Sequence, residues 1–283
     1  VDIVAENEAD ATAVAKKLLG YFQGTLNDWS CSDQTSLRDI VPENRRRAYQ
    51  IRRVIEVLAD VDSFIEVRRA YGSSVVTGFF RLEGKPAGLI ANDSMQLGGA
   101  VDAEGADKAT RFLQICDAFH LPVISLTDTP GFMVGPDSEK QGAVRRMSGL
   151  FVTGARMTVP IVAIFLRKGY GLGAMAMAGG SFVTPIYSAA WPTGEFGGMG
   201  LEGAVRLGYK KELEAVEDKV DRENLFEKLV AKMYEAGKAT EAAAHLEIDA
   251  VIDPADTRKV IVRALTSAPK ARSSHGKRHT FVR

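Results

Sequence analysis

The chain has 283 residues, 46% of them hydrophobic and 25% charged. These are ordinary globular values, and the length admits one large domain or two small ones. Lys and Arg number 36, and Asp and Glu also number 36; this excludes a nucleic-acid-binding footprint over the whole surface, and two cysteines exclude a disulfide framework beyond one bridge.

Cys31 and Cys116 belong to no Cys/His cluster with zinc spacing, so no metal site is expected. So few cysteines fit a reducing compartment. The opening Val1-Asp2-Ile3-Val4-Ala5-Glu6 places acids where a signal peptide is apolar. It also lacks an initiator Met, which fits processing or a longer polypeptide. The longest strand-like apolar run, Ile161 to Leu166, is far below the roughly 20 residues of a membrane helix.

Residues 5–26 read as a helix, with Ala11, Val14, Ala15, Leu18, Leu19 and Phe22 at helical spacing and Gly20 or Gly24 as the stop. Residues 27–47 are a polar connector containing Pro42 and ending in Arg45-Arg46-Arg47. A second helix carries Ile51, Val54, Ile55 and Leu58 on one face, up to Asp60. From Val75 the pattern becomes strand-like. Val75 to Leu82, the turn Glu83-Gly84-Lys85-Pro86 and Ala87 to Ala91 form a hairpin signal. A helix covers Asp102 to Phe119. Val123 to Thr127 is a short buried strand ending in Asp128-Thr129-Pro130-Gly131-Phe132. A helix follows from about Ser138 to Met157. Ile161 to Leu166 is the next strand, ending in a glycine-rich loop and a small-residue helix, Gly173 to Gly180. Helices are expected at about 209–219, 222–237, 239–245 and 256–267. This alternation is α/β grammar with parallel pairing. Lys270, Arg272, Lys277, Arg278 and Arg283 form a basic tail without acids, either a frayed terminus or a dock for an acidic partner chain.

Three segments could carry chemistry. In Arg167-Lys168-Gly169-Tyr170-Gly171-Leu172-Gly173, glycines allow sharp turning and close approach of a ligand. Free N–H groups of the following helix could hold an anion or a developing oxyanion. Tight helix–strand packing would use the same glycines. The spacing fits neither a phosphate-binding P-loop nor Gly-x-Gly-x-x-Gly. Asp128-Thr129-Pro130-Gly131-Phe132 is a specified turn that could wall a crevice at strand ends. Trp191 to Gly200 mixes glycine with aromatics, as backbone packed against a bulky group would. His120, His245, His275 and His279 lie near no nucleophile signature. Asp249 and Asp253-Pro254-Ala255-Asp256 read as turn and cap chemistry.

Taken in order, these segments resemble the carboxyltransferase (β) subunits of biotin-dependent acyl-CoA carboxylases. The matching residues include Val76-Thr77-Gly78-Phe79, Ile90-Ala91-Asn92, Asp107-Lys108-Ala109 with Arg111-Phe112, and Cys116-Asp117-Ala118-Phe119 before Pro122. Pro130-Gly131-Phe132, Arg167-Lys168 with Tyr170-Gly171, Trp191-Pro192-Thr193 and Ile252 to Arg258 follow. The resemblance implies a crotonase-like (ClpP/crotonase) spiral of ββα units, with its core at about residues 70–255 and helical extensions. Family members carry two such domains, one mainly for acyl-CoA and one mainly for carboxybiotin. This chain resembles the carboxyl-terminal one, residues 70–283. Residues 1–69 are then a helical lead-in and connector from a preceding domain, with 1–26 as that domain's last helix.

The family reaction moves CO2 from carboxybiotin, carried on a partner protein, to the α-carbon of an acyl-CoA, with released biotin taking the α-proton. The resemblance places backbone oxyanion donors at Leu172 and Gly173. It places substrate contacts at Tyr170, Gly171, Ala174, Met175, Pro130, Gly131 and Phe132. Met175 stands where relatives carry a residue that helps select acyl chain length. Implied partners are a biotin carrier or biotin carboxylase subunit, an acyl-CoA-binding amino-terminal domain or subunit, and further copies of the chain, in the cytoplasm or in a mitochondrial matrix. No nucleic acid or membrane partner is implied. Three alternatives stay open: a biotin-dependent acyl-CoA decarboxylase component, a non-catalytic oligomerisation module, and a crotonase-type hydratase or isomerase. The last needs a carboxylate pair, with Glu139 and Glu195 as candidates.

Overall fold

A computed structural model describes residues 1–268. Helix α1 (Glu8–Gly20) is shorter than the helix expected over 5–26. The Asn7 side chain accepts the Asp10 N–H and sets its start. At its end the Arg81 guanidinium donates to the carbonyls of Gly20 and Gly24, at 2.7 and 2.8 Å, and leads the chain away. Helix α2 (Ile51–Leu58) buries Ile51, Val54, Ile55 and Leu58, the stripe that its spacing predicts.

Strand β1 (Ile65–Val67) precedes the expected start at Val75 and pairs antiparallel with β2 (Val75–Leu82), which makes the expected hairpin with β3 (Lys85–Asn92). Glu83 and Gly84 take φ of 53° and 73°, the left-handed pair that a two-residue hairpin turn needs. The Asp60 carboxylate holds this turn by accepting the N–H groups of Glu83 and Gly84, and it also accepts from the buried Arg258 guanidinium.

Helix α3 (Ala103–Ala118) is capped by Asp102 and crosses to β4 (Val123–Thr129). The single helix expected over 138–157 is two, α4 (Pro136–Lys140) and α5 (Ala143–Gly154), because Gly142 turns left-handed between them at φ 67°. Strand β5 (Ile161–Tyr170) runs past the expected end at Leu166, and α6 (Gly171–Met177) therefore starts before Gly173 and stops before Gly180. Strands β6 (Tyr187–Ala190) and β7 (Glu195–Gly197) follow, the latter inside the segment read as glycine- and aromatic-rich. The tail holds α7 (Leu201–Gly208), α8 (Lys210–Glu214), α9 (Lys219–Ala236), α10 (Ala239–Ala244), β8 (Ala250–Val251) and α11 (Thr257–Ser267). α9 starts early because Asp218 caps it. The residues 270–283 read as a basic tail lie outside the described residues.

The sheet order is β1-β2-β3-β4-β5-β6-β8, with β7 also on β5, and every pairing from β3 onward is parallel, as the alternation predicts. Strand residues alternate between two cores, as a period of two requires. Val75, Phe79, Ile90 and Val123 face α3, α5 and α6. Val76, Phe80, Leu89, Ile124, Val162 and Ile164 face α2 and Ile261 of α11. The lead-in residues Leu37 and Val54 thus share a core with the sheet, and β1 extends that sheet ahead of residue 70. Among the described residues, no helix is long and apolar enough to cross a membrane.

Candidate functional site

The site forms where β4 and β5 end side by side. The two strands keep register from Val123 opposite Ile161 to Thr127 opposite Phe165, then slip so that Thr129 faces Gly169. The slip frees the β4 end to turn outward through Pro130 and Gly131. That turn is pinned. Thr129 Oγ1 lies 3.1 Å from both the nitrogen and the carbonyl oxygen of Gly131, and Val101 N–H donates to Gly131 O at 3.0 Å.

Opposite the turn, Tyr170 ends β5 and α6 begins. Gly171 has φ 57°, and a Cβ there would lie 2.6 Å from the carbonyl oxygen of Gly198. A Cβ on Gly173 would lie 2.6 Å from Gly131 C and 2.8 Å from Phe132 N. Chain reversal explains the first glycine and close approach of two backbones the second. The structure thus brings Pro130, Gly131 and Phe132 together with Tyr170, Gly171, Leu172 and Gly173, far apart in sequence. Leu172 is 63% exposed, while Tyr170 is buried. Ala174 is fully buried in a cluster with Phe165, Phe182 and Phe196, and half-buried Met175 packs against that cluster. The N–H groups of Leu172 and Gly173 donate to no protein acceptor among the described residues, as expected of a helix's first turn.

Beneath the turn lies a buried ion pair that sequence reasoning missed. Asp128 is 0% exposed; its carboxylate accepts from Arg167 Nη2 and from Lys168 N–H, both at 3.0 Å. Arg167 also donates to Arg47 O at 2.8 Å and lies over the Tyr49 ring. Lys168 Nζ donates to Gly98 O at 2.6 Å, and burial, partly offset by Asp128, lowers its pKa. Charged residues at the ends of otherwise apolar strands are the sequence signal for such a pair.

A second network was also missed. Tyr170 donates from its hydroxyl to Glu195 Oε2 at 2.8 Å, and Arg45 Nε lies 3.1 Å from Glu195 Oε1. Arg45 also covers the Tyr234 ring at 3.7 Å, and Tyr234 donates to Glu202 at 2.9 Å. Burial and the neighbouring Glu195 push the Tyr170 hydroxyl pKa well up, so it stays a donor. Glu195 is therefore a held acceptor, and Glu139 is exposed in the first turn of α4. The arrangement lends no support to the acid–base pair of a hydratase. Among the described residues, no group of three or more His, Cys, Asp and Glu could hold a metal ion. What this corner offers is two backbone N–H groups beside the Pro130–Phe132 turn, above a buried ion pair.

The model of the carboxyl transferase domain family matches residues 1–281. The chain is 34% identical over 291 aligned residues to the methylmalonyl-CoA carboxyltransferase 12S subunit of Propionibacterium freudenreichii subsp. shermanii, covering 99% of this chain and 54% of that protein. It is 36% identical over 279 residues to the biotin-dependent acetyl-/propionyl-coenzyme A carboxylase beta6 subunit of Mycobacterium tuberculosis (strain ATCC 25618 / H37Rv), covering 96% and 58%. The chain thus spans a little over half the length of these relatives. Among solved structures, a single-chain, multi-domain long-chain acyl-CoA carboxylase matches at TM-score 0.86 and 57% identity, over 93% of this chain and 26% of that one. A transcarboxylase 12S hexamer with methylmalonyl-CoA bound matches at TM-score 0.87 and 32% identity, over 98% and 55%. The mixed sheet is that of the 12S structures, which is the crotonase-like fold expected from the sequence.

Proposed function

We propose, from the premise that this chain belongs to the carboxyl transferase domain family, that it forms the carboxybiotin-side half of an acyl-CoA carboxyltransferase. One observation carries this reading: the unpartnered N–H groups of Leu172 and Gly173 sit at a loop packed against the Pro130–Phe132 turn. Two such donors fit a carbonyl oxygen of the biotin ring or of a thioester. Bound carboxybiotin would supply the CO2 and, once released, the base for the substrate's α-proton. The chain's own part is to bind that oxygen, orient it and keep water away. Tyr170 held by Glu195, and the Asp128–Arg167 pair beneath, fix the donors before substrate arrives. No acid–base side chain is required, consistent with Glu195 being engaged.

The substrate is an acyl-CoA, and we read its class as long-chain. The 57% identity to the long-chain carboxylase exceeds the 34% and 36% to the methylmalonyl- and acetyl-/propionyl-type relatives. A flexible apolar Met175 suits a long chain better than a charge would. The acyl-CoA-binding half, a biotin carrier and further copies of the chain are the partners. The hexameric 12S assembly supports the last of these.

The test is carboxyl transfer from carboxybiotin to a panel of acyl-CoAs by the full-length protein. Gly173→Pro removes one donor but also presses a ring against the Gly131–Phe132 backbone, so Gly173→Ala is its control, and turnover is expected to fall by about 10²–10³ beyond the loss in Gly173→Ala. Leu172→Ala keeps its donor and is expected to stay within about threefold. Near-native turnover in a Gly173→Pro protein of unchanged melting temperature would make the loop a packing device.

A further inference from the structure

The lead-in ahead of residue 70 reaches the end of β5 at two points. Arg47 O accepts from the Arg167 guanidinium, and Arg45 Nε lies 3.1 Å from Glu195 Oε1, while Glu195 Oε2 accepts the Tyr170 hydroxyl. We propose that Arg45 is a positioning residue for the glycine loop, acting through Glu195 and Tyr170, so that the lead-in belongs to the functional unit. Its effect on turnover rests on the carboxyl-transfer reading of that loop.

Strand period brings Tyr170 and Glu195 together. Lys168 pairs with Glu195 and Tyr170 with Gly197, so Tyr170 and Glu195 stand on one face of β5 and β7, diagonally opposed. A Cβ on Gly197 would lie 3.8 Å from Tyr170 Cδ1, which puts the Tyr170 ring beside that glycine. The backbone of β7 is clasped on its far end: Phe196 N–H donates to Gly237 O at 2.7 Å, and Ala239 N–H donates to Gly194 O at 3.0 Å. Glu195 therefore rides on a fixed backbone, and the freedom left to it is rotation of its side chain. Arg45 removes that freedom. Its guanidinium takes one carboxylate oxygen and lies 3.7 Å over the Tyr234 ring, and Tyr234 is itself tied down by donating to Glu202 at 2.9 Å.

The consequence falls on the loop. Tyr170 is 3% exposed, so a hydroxyl that loses Glu195 is left buried without an acceptor, and the ring must shift to find one. Tyr170 is the residue from which α6 starts. On the other side of the loop Gly173 already lies against the Gly131–Phe132 backbone, so a shift of Tyr170 is passed to the N–H groups of Leu172 and Gly173. The pair itself adds little to global stability, because the Arg45 side chain is 46% exposed. What it decides is where one oxygen of a Glu195 side chain, 12% exposed, is held. Positioning and folding are therefore separable at Arg45.

The experiment compares Arg45→Ala, Glu195→Gln and the double variant of the full-length protein by two readouts. One is amide hydrogen exchange over residues 167–177, measured by mass spectrometry without substrates. The other is kcat and KM in carboxyl transfer. Arg45→Ala is expected to speed exchange in that segment about fivefold and to lower kcat about fivefold, with KM within about twofold and melting temperature within about 2 °C of the parent. In the Glu195→Gln background the same substitution should add less than about twofold, because its route to the loop is already cut. Arg45→Lys keeps a cation beside Glu195 and should recover about half of the lost turnover. Unchanged exchange over 167–177, or losses that simply multiply in the double variant, would overturn the proposal. So would faster exchange spread over β2 and β3 with a falling melting temperature, which is the mark of a purely structural residue. Faster exchange confined to 167–177 with unchanged turnover would uphold the positioning and refute the carboxyl-transfer reading of the loop, so the two failures are distinguishable.

Discussion

Replacing Asp128 by Asn removes one charge and almost no volume from beneath the Pro130–Phe132 turn. The carboxylate is 0% exposed and its partner Arg167 has a side chain only 3% exposed, so water cannot take its place. Breaking a buried ion pair from one side typically costs about 3–5 kcal/mol, because the remaining charge is left without compensation. Two features place this case at the lower end. The Asn oxygen can still accept the Lys168 N–H, and Arg167 keeps Arg47 O at 2.8 Å and the Tyr49 ring at 5.1 Å. We expect a loss of about 3 kcal/mol, or about 6–12 °C in melting temperature for a domain of this size. Urea denaturation and a thermal scan measure it. Asp128→Leu combined with Arg167→Met removes both charges, and should recover most of the loss. A cost below about 1 kcal/mol for Asp128→Asn, or a double variant worse than the single one, would refute the claim that this pair holds the ends of β4 and β5 together.

Lys108 is 1% exposed with an unpartnered Nζ, and burial pushes its pKa down from 10.5 to about 8. The unfolded chain then binds more protons between those values, so this group's contribution to stability rises with pH from about 8 to 10.5. Lys108→Met should raise the melting temperature at pH 7 and remove that rise; parallel pH profiles would contradict it. Glu195→Gln keeps an acceptor for Tyr170 and should lower carboxyl transfer by less than about tenfold, whereas a catalytic carboxylate would lose about 10² or more in the same assay. Thr257→Val removes the acceptor 2.8 Å from buried Trp191 Nε1 and should cost about 1–3 kcal/mol in denaturant unfolding. Met175→Ala should change the ranking of acyl-CoAs by kcat/KM; an equal loss with every substrate would mean that its packing against the aromatic cluster is its whole role.

Local pattern carries much of this protein. The apolar stripe of Ile51, Val54, Ile55 and Leu58 needs only helical spacing to be read, and Glu83-Gly84 between two strand runs needs only turn chemistry. The parallel sheet follows from strands separated by helices, and Pro130-Gly131-Phe132 and the glycine loop are visible as strand-end segments. Local pattern also misleads where tertiary contacts compete with it. Gly169 and Tyr170 look like loop residues, yet they extend β5 because β7 pairs with them. Gly142 splits the single helix expected over 138–157 by turning left-handed, with a polar turn before it and the apolar helix after it.

The pairings were decided by the path of the chain. Arg45, in a stretch that reads as a connector, reaches Glu195, and Glu195 reaches Tyr170. Asp128 finds Arg167 because two parallel strands end together. Arg68, Arg111 and Arg145 share one cleft only after α3 packs on α5. The sequence by itself determined the type of the longer elements, the sheet class and the two turns that face each other, since hydrophobic period and backbone freedom act over a few residues; the short strands β1, β6, β7 and β8 hold too few residues to show a period. Which charges meet, which N–H groups stay unpaired and where a cleft remains open were left to the tertiary structure, because those depend on distances between segments that no local pattern contains.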